Sequence, residues 1–253
     1  MNPFQRALIE KTGHDYGFEY VLSGSEGSVN LASARQPAKV AINLESSQFA
    51  LSFTSPAHAL LNAELMRSFP AVACTGESFI APDQDTLAAL LRRAAELAHA
   101  LPNQASHDFD ARLQQELAEL PADLKGTEVE RVVRQRVGQQ AFRSAMLDYW
   151  GGSCALTGIA LPELLRASHA KPWAECASDI ERLDVFNGFL LSANLDALFD
   201  RFLISFSDTG GLLISARISS RNKALLGLEL PLQLRWIVDE HLPYLRYHRS
   251  KFV

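Results

Sequence analysis

The chain has 253 residues, 47% hydrophobic and 21% charged, a composition that excludes a disordered protein and gives room for one large domain or two modest ones with packed cores. No apolar run is long enough to cross a bilayer, and the start, MNPFQRALIEK, lacks the apolar core of a signal peptide, so a cytoplasmic protein without membrane contact is expected. Formal net charge is −5, but from Lys125 onward 16 basic residues stand against 14 acidic ones, while the preceding part has 8 against 15, so any polyanion-binding surface is expected in the second half.

Residues 1–102 read as an α+β domain. Segments 18–22, 28–32, 39–44 and 48–53 are rich in β-branched and aromatic residues and are separated by Gly, Ser, Pro and Asn, which predicts hairpins of a small antiparallel sheet. AHALLNAELMRSF, after Pro56, predicts a helix. LAALLRRAAELAHAL predicts a clearer one, capped by Asp83 or Asp85 and ended by Pro102. Residues 103–126 are polar and read as a linker with a short helix over 109–120, punctuated by Pro121 and Gly126.

A second domain is expected over 127–253. TEVERVVRQRVGQQAFRSAMLDYW predicts a long helix in which Thr127 and Glu130 have capping-box spacing, and Val129, Val132, Val133, Val137, Phe142 and Met146 form the buried stripe. CALTG and the segment ending at Ser168-His169 predict strand-like arms, FNGFLLS a further strand, and ANLDALFDRF a helix capped by Ser192. FLISFS and GLLIS flank Asp-Thr-Gly-Gly as a hairpin does. The three cysteines, Cys74, Cys154 and Cys176, are odd in number and widely spaced, without Cys-x-x-Cys. They read as free, partly buried thiols, and no structural zinc is expected.

Chemistry concentrates between Trp150 and Phe206. His169 lies in Ser-His-Ala-Lys-Pro-Trp, Asn187 in Phe-Asn-Gly, and Asp196 and Asp200 are one helical turn apart, so both carboxylates share a helix face. Hydrolysis of a phosphodiester needs a base for the attacking water and positive charge on the phosphate. A neutral histidine supplies the first, and oxygen ligands around a hard divalent cation the second. The asparagine can hold a loop and orient the histidine. Arg166, Lys171 and Arg201 flank these residues as candidate phosphate contacts. The bland alternatives are a salt bridge from Asp200 to Arg201 or Arg166, a core-anchoring Trp173, and structural roles for His107, His241 and His248.

Cys-Ala-Leu-Thr-Gly (154–158), Ala-Ser-His-Ala-Lys-Pro-Trp (167–173), Phe-Asn-Gly (186–188) and Leu-Phe-Asp-Arg (198–201), in that order, resemble the HNH endonuclease family, strongly over 145–206 and loosely over 125–253. The resemblance implies a C-terminal ββα-metal nuclease fold, with His169 as general base, Asn187 as orienting residue and the metal ligands on the helix. The family's helix histidine is missing, and Asn194 or Asp196 stands in its place. These two are about 200° apart on an ideal helix, so they do not face one ion together. The residue before the base, a metal ligand in relatives, is Ser168 here, which leaves more water around an ion.

One divalent cation per site, Mg²⁺ or Mn²⁺, is implied, with DNA as substrate, nicked by one site or cut through by a homodimer or by successive nicks. A role in restriction or phage defence is implied as well, with residues 1–102 regulating, targeting or binding a protein partner. The competing expectation is a DNA-binding or interaction module that has kept the fold and lost catalysis. An RNA-directed nuclease is chemically compatible.

Overall fold

The computed structural model describes residues 1–24, 27–45, 47–101, 104–119, 126–229 and 231–253, with backbone only for 104–108. It divides into two compact units, Met1–Gln104 and Ala105–Val253. The expected stops at Pro102 and Pro121 and the side chain of His107 lie outside the described residues.

The first unit opens with α1 (Pro3–Asp15), which the sequence reading passed over. Its apolar stripe is thin, burying only Ile9, Thr12 and Gly13, but its start is well marked. The Asn2 carboxamide oxygen accepts from the Gln5 N–H at 2.8 Å, and the Gln5 side chain accepts from the Asn2 N–H at 2.9 Å, a reciprocal cap. Strands β1 (Tyr20–Leu22), β2 (Ser28–Ala32), β3 (Lys39–Glu45) and β4 (Gln48–Thr54) follow within a residue or two of expectation. Then come α2 (His58–Ser68), β5 (Ala73–Thr75), β6 (Ser78–Ala81) and α3 (Gln84–Ala100).

The strands form one antiparallel sheet, ordered β1-β2-β3-β4-β6-β5. Alternate residues of its central strands are buried: Val29 and Leu31, Val40 and Ile42, Leu51 and Phe53, Phe79 and Ala81. β5 and β6 were not foreseen. β5 is exposed at every residue, so it carries no alternation to read, and β6 has only four residues. Asp83 caps α3 through the Thr86 N–H, as one of the two expected candidates, and the helix buries Leu87, Leu90, Leu91, Ala94 and Leu97.

The second unit contains α4 (Gln104–Glu119), α5 (Thr127–Tyr149), β7 (Leu165–His169), α6 (Asp179–Leu183), β8 (Gly188–Ser192), α7 (Ala193–Phe199), β9 (Ile204–Phe206), β10 (Leu212–Ile214), α8 (Ser220–Leu225) and α9 (Leu242–Ser250). α5 is the spine. Val133, Val137, Phe142 and Met146 are buried as expected, together with Ala141, Ala145 and Tyr149, each large apolar side chain contributing roughly 1.5–3 kcal/mol. Val132 departs from the expected stripe and is 54% exposed. The Thr127 capping box does not form. The helix starts one residue earlier than that box requires, with Gly126 at the N-cap and no side-chain cap bond.

The Cys-Ala-Leu-Thr-Gly segment is a turn, not a strand. Gly158 N–H donates to the Cys154 carbonyl at 3.0 Å and Cys154 N–H to the Ile159 carbonyl at 2.9 Å, curling the chain back on itself. It is linked to the strands by Ala155 N–H to the Leu190 carbonyl at 2.7 Å. β7 and β8 therefore pair alone, antiparallel, with His169 opposite Gly188. A Cβ on Gly188 would meet the Ser168 carbonyl oxygen at 2.2 Å, so this register beside the histidine requires glycine. α7 follows β8 without a break, giving strand, strand, helix. Ser192 stands at its N-cap but makes no side-chain cap bond, and its hydroxyl donates to Asn194 Oδ1 at 2.7 Å.

β9 and β10 form the expected hairpin. α9, in the basic-aromatic terminus, was not foreseen. Its Leu245 and His248 are buried, and a buried histidine is not an apolar signal. Cys154 and Cys176 are buried free thiols, while Cys74 is exposed, contrary to the expectation of partial burial, because it sits on the edge strand β5.

Candidate active site

α5, β7, the loop after β7 and the residues just past α7 meet at a cleft of about 410 Å³ lined by Gln139, Phe142, Ala167, His169, Pro172, Trp173, Asp200 and Phe202. His169 ends β7. Its ring stacks on Phe142 of α5, with centroids 3.8 Å apart, and meets Trp173 edge-on at 5.8 Å. Trp173 fits against α5 because position 138 is glycine, where a Cβ would meet the indole at 2.2 Å. This tryptophan is a half-buried wall of the cleft rather than a fully buried anchor.

The histidine's Nε2 lies 2.8 Å from the Arg182 carbonyl oxygen. A carbonyl only accepts, so Nε2 carries the proton and Nδ1 keeps its lone pair. Burial pushes the imidazole pKa down to about 4, with the Arg182 carbonyl partly opposing, so the ring is neutral at neutral pH.

Asn187 is fully buried behind the loop that follows His169. Its Oδ1 accepts from the Lys171 N–H at 2.8 Å, and its Nδ2 donates to the carbonyls of Lys171 (3.3 Å) and Glu181 (3.0 Å) and to Cys176 Sγ (3.4 Å). Its own carbonyl accepts from the Ala170 N–H at 3.0 Å. The amide thus holds the backbone on both sides of the segment whose Arg182 carbonyl orients the ring. Sequence reasoning had no signal for Arg182, because the group it offers the histidine is a backbone oxygen.

The helix brings its carboxylates to the same region by two routes. Asp196 accepts from the buried Ser168 hydroxyl at 2.6 Å, which ties α7 to the residue before the histidine. Asp200, just past the last turn, lines the cleft, with its N–H bonded to the Asp196 carbonyl at 2.9 Å. Loss of hydration against the cleft wall, then the Asp196 charge, pushes the Asp200 carboxyl up to about 6, with Arg201 opposing. Neither expected salt bridge forms. Arg201 donates to the Ala197 carbonyl (3.0 Å), and Arg166 to the carbonyls of Glu163 (2.9 Å) and Leu165 (2.8 Å). Asn194 is exposed, turned to Ser192, and does not line the cleft.

Among the described residues no group of three His, Cys, Asp or Glu side chains is gathered closely enough to hold an ion. The donor set that does exist is two carboxylates one turn apart, repelling each other, with a serine hydroxyl beside them. Such oxygen donors fit a hard, largely hydrated divalent cation and not a tetrahedral nitrogen–sulfur site.

The flanking cations are partly spoken for. Lys171 pairs with Glu181 at 2.6 Å and lies 5.4 Å from the Tyr247 ring centre, so a phosphate contact by Lys171 requires that pair to open. Arg166 and Arg201 are exposed. His248 and His241 are structural. His248 bridges the Phe199 carbonyl (3.0 Å) and Ser205 Oγ (2.9 Å), while His241 packs among Tyr149, Phe186 and Phe189.

A comparison with curated proteins gives no match. Residues 154–207 match the family model described as HNH endonuclease, a span that holds the Cys154 turn, β7, β8, α7 and β9. Over that span the chain is similar to the HNH endonuclease family.

Proposed function

We propose that the chain is a metal-dependent endonuclease that hydrolyses phosphodiester bonds in DNA, with His169 as general base and Asn187 as its positioning residue. The observation that carries this reading is the pinned tautomer. With Nε2–H given to the Arg182 carbonyl, Nδ1 is the acceptor left to take a proton from water in the cleft that also holds Asp200. Burial keeps that ring neutral, and Phe142 fixes its plane. Asp200 and Asp196 would hold a hydrated Mg²⁺ or Mn²⁺, whose chemistry when bound is to neutralise the phosphate and the leaving oxygen. Asn194, exposed and turned away, is the weaker candidate to replace the missing helix histidine. Arg166 and Arg201 are the cations best placed by exposure to meet phosphates. The N-terminal unit is assigned targeting or regulation, and restriction or phage defence is the setting that the family resemblance favours.

Incubating the full chain with supercoiled plasmid and Mg²⁺ or Mn²⁺ is expected to give relaxed or linear product, lost in His169→Ala and in the presence of EDTA. Parallel digestion of single-stranded DNA and RNA defines the substrate. A protein that binds DNA but leaves every substrate intact in both metals, as full chain and as the 127–253 fragment, is the interaction module instead. The absent helix histidine and the lack of a three-donor cluster among the described residues favour that second reading.

A further inference from the structure

The end of α7 closes with a paired motif. Leu203 N–H donates to the Leu198 carbonyl at 2.9 Å, and Phe202 N–H to the Phe199 carbonyl at 2.8 Å. This closure places one residue in the left-handed region, normally glycine, because a Cβ there is penalised. Here that residue is Phe202, with φ 56°, and among the described residues only Ser47 shares a positive φ without being glycine. The same unit uses Gly151, Gly152, Gly158, Gly210 and Gly227 at its other positive-φ positions, so phenylalanine is the exception to its own practice.

The strained backbone puts an aromatic ring on the cleft wall, beside Asp200 and in the same lining as Trp173 and His169. The buried His248 imidazole is tilted against the ring, 4.8 Å between centroids, and Lys251 Nζ sits over a ring face 5.8 Å from its centre, so a stacking base takes the other face or displaces the lysine. The ring is not buried. A strained, half-exposed aromatic at a chemical site is better explained by a ligand that uses its face than by packing.

We propose that Phe202 is a base-stacking residue that makes this cleft select single-stranded or locally unpaired DNA over intact duplex. This rests on the nuclease reading above. A base inside a duplex already has both faces covered, so only one that has left its stack can lie on the Phe202 ring. The neighbouring exposed Arg201 is placed to hold the adjoining phosphate.

The test compares the full-length protein with Phe202→Gly, Phe202→Leu and Phe202→Tyr. Glycine suits the backbone, leucine keeps apolar bulk without a flat ring, and tyrosine keeps the ring. Binding is read in EDTA with a short single-stranded DNA carrying 2-aminopurine, whose fluorescence falls on stacking, and with the same sequence as duplex. The wild type and Phe202→Tyr are expected to quench the probe and to prefer the single strand. Phe202→Gly and Phe202→Leu are expected to lose the quench and about tenfold or more in single-strand affinity, with duplex affinity unchanged. In cleavage, KM for the single strand should rise in those two variants while kcat holds.

Equal binding by Phe202→Leu and wild type, or a loss shared equally by duplex and single strand, overturns the proposal while leaving the nuclease reading intact. A wild type that binds and cuts neither form overturns both.

Discussion

On the strand side of the cleft, Asn187 has four side-chain bonds, His169 is pinned by a carbonyl, and Lys171 is neutralised by Glu181. On the helix side, the Asp196 charge pushes the Asp200 carboxyl up, no salt bridge forms to either among the described residues, and Phe202 holds a left-handed backbone. The first side is built as a scaffold, in which the Asn187 bonds and the Arg182 carbonyl keep one ring in one tautomer. The second retains repulsion between two carboxylates and a strained backbone at Phe202. A fold that only needed to persist would have removed both, since charge repulsion and a non-glycine αL residue each lower stability. The division predicts that mutations on the two sides have opposite signatures.

The largest effect belongs to His169. His169→Ala should lower cleavage by about 10²–10⁴-fold, the usual worth of a general base, while leaving DNA affinity near the wild-type value. Retained cleavage would remove the strand side from the chemistry. Next is Asn187→Ala, which leaves the buried Lys171 N–H and Glu181 carbonyl without the partner that now satisfies them. It should destabilise the protein by about 2–3 kcal/mol, seen as a lowered urea midpoint, and reduce cleavage as the loop carrying the Arg182 carbonyl loosens. An unchanged midpoint would show that the strand side is not the scaffold described above.

The strand side was the more legible in sequence. His169 and Asn187 announce themselves by residue type and spacing, and runs of β-branched and aromatic residues between Gly, Ser, Pro and Asn located β1, β2, β3 and β4 of the first sheet. What escaped were features made of backbone or of exceptions. The Arg182 carbonyl has no side-chain signature, the Cys154 turn looks like a strand until its hydrogen bonds close on themselves, and β5 has no buried face. Phe202 is illegible in principle, because propensity argues against phenylalanine at φ 56° and only tertiary context overrides it. The i, i+4 spacing located Asp196 and Asp200 on one turn but not their unequal roles, one bonded to Ser168 and the other lining the cleft.

On the helix side the expected signs reverse. Asp200→Asn removes one of two repelling charges, and at neutral pH it should stabilise the protein by a few tenths to about 1 kcal/mol, the upper end reduced by solvent screening at this partly exposed position. It should also abolish the rise in Tm that Mg²⁺ or Mn²⁺ gives the wild type, since a ligand stabilises only the state that binds it. A variant that is less stable than wild type, or still responds to the metals, would place the cation elsewhere.

The smallest effect is in the pH dependence, where imidazoles and carboxyl pull in opposite directions. His169 and His248 both have folded pKa values pushed down to about 4 by burial, against an unfolded value near 6.5. Between these values the unfolded chain binds the extra protons, so their contribution to stability is full above pH 6.5 and is lost as pH falls toward 4. Asp200 runs the other way. Raised to about 6 from 3.8, it holds a proton in the folded state that the unfolded state has released, so its contribution declines as pH rises from 3.8 to 6. The carboxyl therefore masks part of the acid sensitivity of the two imidazoles. Asp200→Asn should make stability fall more steeply between pH 6 and 4 than in wild type, measured by urea midpoints across that range. An unchanged slope would mean that Asp200 titrates as an ordinary surface carboxylate, and the helix side would then hold no electrostatic strain for an ion to relieve.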